Sequence, residues 1–238
     1  PRGGRNAKGR PIVNLLPLEK DERIQAVLPV KEFNDDQFIF MATESGSVKK
    51  TKLSAYSRPM KSGIKAIKLR EGDRVVNAEI TDGSKEIMLF SNSGKSIRFK
   101  ETDARPMGRV SQGVRGMRIE KDQRIISLVV LEEGNILVAT ENGFGKQTLK
   151  DEFSIQKRVG KGVIAIQTSK RNGNLIGANQ VSTGDEVMFI STTGNLIRTR
   201  TDDISVIGRN TQGVRLIRLS EDDNLLGMEK VISEDDEE

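Results

Sequence analysis

A repeat constrains this chain more than any other feature. The stretches IFMATESGSVKKT, IMLFSNSGKSIRF, ILVATENGFGKQT and VMFISTTGNLIRT align without gaps and bring Gly46, Gly94, Gly143 and Gly194 into register, at spacings of 48, 49 and 51 residues. Self-similarity at such a period means that one supersecondary unit recurs and is completed by its neighbours. Each copy holds an apolar run, a turn with Asn, Ser or Thr before glycine, and a second run, which is the signature of a β-hairpin.

A second pattern follows each hairpin. GIKAIKL, GVRGMRI, GVIAIQT and GVRLIRL begin at Gly63, Gly113, Gly162 and Gly213, and each leads through a polar turn to an aliphatic strand: RVVNAEI, RIISLVV, NLIGANQV and NLLGMEKV. These read as second hairpins. An extra copy of this second half stands at the start, where KGRPIVNLLPL leads through KDERI to the strand QAVLPV. The organisation expected is therefore one domain over residues 1–232, made of a half repeat (1–36) and full repeats (37–84, 85–134, 135–184 and 185–232), with 233–238 as an acidic, disordered tail.

Four short strands per repeat make a propeller-type blade, which cannot bury both faces unless neighbours stack on it. Runs such as IMLF and LLGM, apolar on both faces, fit that demand. No eleven-residue helical stripe is present, and KDEF or DDISVIG supply at most a turn. The fold class is all-β and propeller-like. The absence of tryptophan separates it from the WD40 and kelch signatures.

Composition narrows the chemistry. The chain has neither cysteine nor histidine, which removes thiolate and imidazole metal sites, disulfides and every Ser-His arrangement. A reducing compartment fits, and with no secretory signal and no apolar run near 18 residues the expectation is a soluble, cytoplasmic molecule without a membrane partner. GKS at Gly94–Ser96 lacks the glycine of a phosphate-binding loop, because Leu89 stands in its place. GFG at 143–145 lacks the third glycine of a dinucleotide site. The acidic pairs at Asp35, Asp202 and Asp203, and Glu221 to Asp223, lie in polar turns where Asp serves the backbone. Tyr56, the only tyrosine, has no activating neighbour in sequence. No catalytic residue and no metal ligand is expected.

Charge is where the sequence points to function. Net charge is +5, from 39 Lys and Arg against 34 Asp and Glu; without the five carboxylates of the terminal SEDDEE it is 39 against 29, or +10. The loops joining the two halves of each repeat concentrate the cations: PRGGRNAKG, SRPMKSG, ARPMGRVSQG, IQKRVGKG and IGRNTQG. They supply Arg2, Arg5, Lys8, Arg58, Lys61, Arg105, Arg109, Lys157, Arg158, Lys161 and Arg209. The position four after the turn glycine adds Lys50, Arg98 and Arg198, with Gln147 as the exception, and the following segments add Lys65, Arg115 and Arg215. Because blades repeat around an axis, equivalent loops share one rim, so cations about fifty residues apart become neighbours. A basic rim with 4% aromatic residues suits phosphate contacts along double-stranded DNA more than stacking on single strands. Such a rim would bend or wrap a duplex without reading its bases. The acidic tail is a candidate competitor for that surface.

With the repeats in hand, individual segments become informative. GRPIVNLLPL, FMATESGSVKKT, IMLFSNSGK, QGVRGMRI, ENGFGKQT, KGVIAIQT and ISVIGRNTQGV closely resemble the C-terminal domain of the bacterial DNA gyrase A subunit, through essentially all of residues 9–231. The resemblance implies a β-pinwheel, a propeller relative whose neighbouring blades exchange strands, with DNA wrapped on its basic outer edge to set the crossing used in negative supercoiling. It implies as partners the rest of the A subunit together with the B subunit in an A2B2 holoenzyme, with ATP and Mg²⁺ used elsewhere in that enzyme and no cofactor in this chain. The isolated domain is expected to be monomeric. Two departures stand out. The family usually has six blades and a glycine-rich basic box, whereas here one blade is incomplete and only PRGGRNAKG comes near the box. Gln147 is expected to mark a weaker blade. The competing readings are the equivalent domain from the A subunit of topoisomerase IV and a protein-interaction propeller.

Overall fold

The computed structural model describes residues 14, 16, 18 and 22–231. Arg2, Arg5 and Lys8, with the rest of PRGGRNAKG, and the SEDDEE tail lie outside the described residues.

The repeats generate their strands in the same order each time. In the first, β1 (Phe38–Thr43) and β2 (Ser47–Lys52) form a hairpin and β3 (Val75–Thr81) follows. The second gives β4 (Glu86–Ser91), β5 (Lys95–Lys100), β6 (Val114–Arg115) and β7 (Ile125–Leu131). The third gives β8 (Asn135–Thr140), β9 (Phe144–Leu149), β10 (Val163–Ile164) and β11 (Leu175–Val181), and the fourth β12 (Glu186–Ser191), β13 (Leu196–Arg200), β14 (Val214–Arg215) and β15 (Leu225–Val231). A short 3-10 turn follows each hairpin, at Leu53–Tyr56, Glu101–Asp103, Lys150–Glu152 and Thr201–Asp203.

The pairing corrects one expectation. Three sheets run β3-β1-β2-β6, β7-β4-β5-β10 and β11-β8-β9-β14, so the outermost strand of each comes from the next repeat. The segments read as second hairpins are therefore not hairpins. Val114 of β6 pairs with Val48 of the preceding blade, whereas Leu128 of β7 pairs with Leu89 of its own. Both arms are aliphatic because each is half-buried in a sheet, but the sheets are different ones. The fourth sheet is β15-β12-β13 and has no such added strand among the described residues. QAVLPV is not a regular strand either. Its described contacts with the first blade are a hydrogen bond from Gln25 Nε2 to Val75 O (2.6 Å) and the packing of Leu28 and Val30 against Ile39, Met41 and Leu53.

Stacking of the sheets explains the doubly apolar strands. On β4, alternate residues Ile87 and Leu89 enter the core shared with the first sheet, beside Phe40, Val48 and Phe99. Met88 and Phe90 enter the core shared with the third, beside Ile136, Val138 and Phe153. A third core lies between sheets three and four, around Leu137, Val187 and Phe189. The strands β3, β7, β11 and β15 lie side by side at the inner edge, so the added strands and the loops leading to them occupy the outer edge.

The hairpin glycine is needed twice over at these junctions. Gly94 has φ +78°, and a Cβ there would stand 2.2 Å from Ile166 O. The approach is close because Ala165 N and Ile166 N, just after β10, both donate to Gly94 O (2.8 and 3.1 Å). Gly194 has the same left-handed conformation (φ +84°) but nothing within 4 Å, since no strand crosses it among the described residues.

Candidate nucleic-acid interface

Each outer loop is hung from the preceding blade at equivalent points. Met107 N donates to Lys50 O (2.8 Å), Gln156 N to Arg98 O (2.7 Å) and Ile207 N to Gln147 O (2.9 Å). Beside each bond a one-residue parallel bridge forms, Lys50 to Pro106, Arg98 to Ile155 and Gln147 to Val206. Three residues after Pro106, Ile155 and Val206 an arginine turns back onto the preceding repeat. Arg109 donates to Lys65 O (2.8 Å), Arg158 to Arg115 O (2.6 Å) and Arg209 to Ile164 O (2.9 Å). These carbonyls belong to the second residue after each entry glycine, so the three clasps are copies of one contact.

The sequence-derived cations then separate by role. Arg58 and Lys61 on the first loop, Arg105 on the second and Lys157 and Lys161 on the third are exposed. So are Lys65, Arg115 and Arg215 on the adjoining segments. Lys157 pairs with Asp103 (3.2 Å) yet remains 90% exposed, and Arg215 lies over the Phe144 ring at 4.7 Å. Arg58, Lys61, Lys65, Arg105, Arg115 and Lys161 are in no ion pair among the described residues. Arg109, Arg158 and Arg209 are half-buried by their clasps.

Lys50 and Arg98 do not stand on the rim, which corrects the reading of the position four after the turn glycine. Lys50 is 4% exposed; its ammonium pairs with the buried Glu101 at 3.1 Å and lies over the Phe38 ring. Arg98 pairs with Glu86 and donates to Lys150 O and Phe153 O, around the next 3-10 turn. Gln147 does the same work with its amide, donating to Thr201 O and Ile204 O (2.6 and 3.2 Å). This position is a joint between blades. What it conserves from blade to blade is an N–H donor, not a charge. No described segment covers Arg198, which is exposed and pairs with Glu186 across the hairpin.

The position one earlier holds two cations that sequence reasoning missed. Lys49 and Lys146 are fully buried. Lys49 donates to Thr51 Oγ1 and Ala66 O, and Lys146 to Gly208 O, Arg209 O and Thr211 Oγ1. Burial lowers both from 10.5 to about 8; nearby Arg109 adds to this for Lys49, while for Lys146 the Glu152 charge opposes and Arg209 adds. The inner edge is different in character. Glu79 and Glu229 line it, both raised by burial, and their charges oppose one another. The loop cations thus lie exposed on the outer edge, while the inner edge brings Glu79 and Glu229 together beside Lys85 and Lys230.

A propeller whose blades are closed by a strand from the following repeat, and whose outer loops share an arginine clasp and bear exposed cations such as Arg105 and Lys161, is a β-pinwheel with a basic rim. Comparison with known proteins agrees. The profile of the family described as "DNA gyrase C-terminal domain, beta-propeller" matches residues 1–31, 37–82, 85–132, 134–182 and 185–232, and the chain belongs to that family. It is 50% identical to the A subunit of DNA gyrase from Salmonella typhimurium and 49% identical to that from Escherichia coli, over its whole length and 27% of theirs. The chain thus spans about a quarter of the length of these relatives. A crystal structure of the C-terminal domain of DNA topoisomerase IV superposes with a TM-score of 0.90, covering 96% of this chain and 72% of that one at 27% identity. A gyrase A C-terminal domain gives 0.84, covering 95% and 76%, also at 27% identity. No helix among the described residues is long and apolar enough to cross a membrane.

Proposed function

We propose that this chain binds double-stranded DNA along its outer edge and bends it there, as a part of the gyrase A subunit that carries no chemistry of its own. The observation that carries this reading is the threefold copy of the loop suspension: three successive loops hang from the same backbone carbonyl and are clasped by the same arginine. Cations borne on such loops recur along a curved line, which is what a run of phosphates requires. Arg105, Lys157 and Lys161 project from these loops, with Arg58 and Lys61 on the loop before them. Contacts of this kind go to phosphates, so affinity should be similar for all sequences and depend on how easily the duplex bends. In the full enzyme the bend would set the crossing for negative supercoiling, with the B subunit plus the remainder of the A subunit supplying ATP use, Mg²⁺ and strand cleavage. The test is a gel-shift with a mixed-sequence duplex. For about six to ten neutralised phosphates, raising salt from about 50 to about 200 mM should weaken binding roughly 10³ to 10⁵-fold. Combined Arg105→Glu, Lys157→Glu and Lys161→Glu should weaken binding to every duplex alike. Affinity insensitive to salt, or a loss confined to particular base sequences, refutes the reading.

A further inference from the structure

The buried ammonium of Lys146 is enclosed by one rim loop. Its three protons have three acceptors, Gly208 O and Arg209 O at 2.6 Å and Thr211 Oγ1 at 3.1 Å, all on the loop that follows in the fourth repeat. Lys146 forms no ion pair among the described residues, so a buried positive charge is balanced mainly by loop dipoles. Glu152, the carboxylate that faces it, is engaged with Arg209 N at 2.9 Å. The equivalent side chains act differently: Lys49 donates to Ala66 O on its own repeat, and Ile97 is apolar. Among the described rim loops, this one supplies three acceptors to a single ammonium.

We propose that Lys146 is a positioning residue for loop 207–212, its ammonium holding Arg209 and Asn210 in one conformation at the outer edge, so that this loop's share of DNA binding depends on the Lys146 charge. The proposal rests on the DNA-binding reading above. The far side of the loop is tied by Gln167, whose backbone N donates to Thr211 O (2.8 Å) and whose side chain donates to Asn210 Oδ1 (2.9 Å). Removing the central ammonium leaves the loop tied at its margins and through Arg209 to Ile164 O and Glu152 Oε2, but strips Gly208 O and Arg209 O of the donor that draws them together. Burial brings Lys146 to about 8, with Glu152 favouring the charged form and Arg209 disfavouring it, so the switch falls within an accessible pH range.

Two measurements on the 238-residue chain test this. In the unmodified protein, the backbone amide signals of residues 209–212 should titrate with a midpoint near 8. In Lys146→Met that inflection should vanish and amide exchange in the loop should rise about tenfold at neutral pH. Flat signals across this range, or unchanged exchange in the variant, overturn the proposal; should Lys146→Met not fold, the titration of the unmodified chain decides it. The second measurement is fluorescence anisotropy with a mixed-sequence DNA duplex. Lys146→Met should bind about tenfold more weakly at pH 7, and the ratio of the two affinities should approach one above about pH 9, where both proteins lack the charge. A loosened loop with equal affinities at pH 7 refutes positioning for DNA. Failure of the unmodified chain to bind the duplex at all refutes the rim reading instead, and the loop measurements then stand by themselves.

Discussion

Replacing Lys50 by methionine separates a joint between blades from a DNA contact. Glu101 has no exposed surface; it receives Thr81 Oγ1 at 2.5 Å and Lys85 N at 3.1 Å, and its charge is met by Lys50 Nζ at 3.1 Å. At an effective dielectric of about 20 the attraction across this distance is about 5 kcal/mol, much of it offset by the cost of desolvating both ions. The measurable quantity is the cost of leaving the carboxylate behind without its cation, about 3–5 kcal/mol for a buried pair. Two hydrogen-bond donors remain to Glu101, which places the expectation near ~3 kcal/mol. For a chain of this size that lowers Tm by about 6–12 °C in a calorimeter. The double variant Lys50→Met, Glu101→Gln should recover at least about 1 kcal/mol, since the stranded charge is gone. DNA affinity, measured well below the transition, should stay within about twofold, because a side chain 4% exposed has no phosphate to neutralise. A Tm lowered by less than about 2 °C together with a tenfold loss of DNA affinity would return Lys50 to the rim and refute the reasoning.

Three further outcomes follow from the same geometry. Gly94→Ala should cost several kcal/mol more than Gly194→Ala, because only Gly94 has a crossing carbonyl at 2.2 Å from the new Cβ, whereas both bear a left-handed strain of about 1 kcal/mol; equal losses in urea denaturation would deny the junction. Gln147→Ala should destabilise by about 1–3 kcal/mol, because Ile204 O loses its side-chain donor while Thr201 O keeps the backbone bond from Ile204 N, and should leave DNA affinity unchanged; Gln147→Leu at a cost under ~0.5 kcal/mol would show that Ile204 O needs no donor. The unfolded chain keeps its lysine protons to about 10.5, whereas Lys49 and Lys146 release theirs near 8 when folded. Over that window the unfolded state binds more protons, so stability should rise with pH, by up to roughly 3 kcal/mol per lysine, and be indifferent to these groups below pH 8. Lys146→Met should flatten part of that rise; stability that falls from pH 8 to 10 in the unmodified chain, and equally in the variant, contradicts it.

Much of the fold could be read from the chain because hairpin chemistry is local. The residue pair ending in Gly46, Gly94, Gly143 and Gly194 and the apolar alternation on either side need no tertiary information. The strand exchange was not legible in residues. Val114–Arg115 and Ile125–Leu131 have the same aliphatic look whether they pair with each other or with different blades, and only the resemblance to the gyrase domain suggested the second arrangement. The site was half legible. Loop cations such as Arg105 and Lys161 do lie exposed where the repeat placed them. Lys50 and Arg98 look identical to them in sequence, but they sit on a strand whose outward face is covered by the next repeat's 3-10 turn. The signal was Gln147: a position accepting Lys, Arg and Gln asks for a donor. Lys49 and Lys146 were hidden because a strand lysine ordinarily extends its head to water, and nothing in SVKKT or GFGKQT announces buried acceptors for the ammonium.

Borrowing a strand from the following repeat gives the molecule a direction. Trimming whole repeats from the N-terminal side removes one sheet and leaves those that remain with their complement of strands, since each was completed by a repeat still present. Trimming from the C-terminal side does something else, for every cut withdraws a short strand such as β14 from the sheet before it and bares that sheet's outer edge. Loss from one end shortens the array; loss from the other also wounds its new terminus, exposing a ladder of unpaired N–H and C=O groups of the sort that recruits foreign strands.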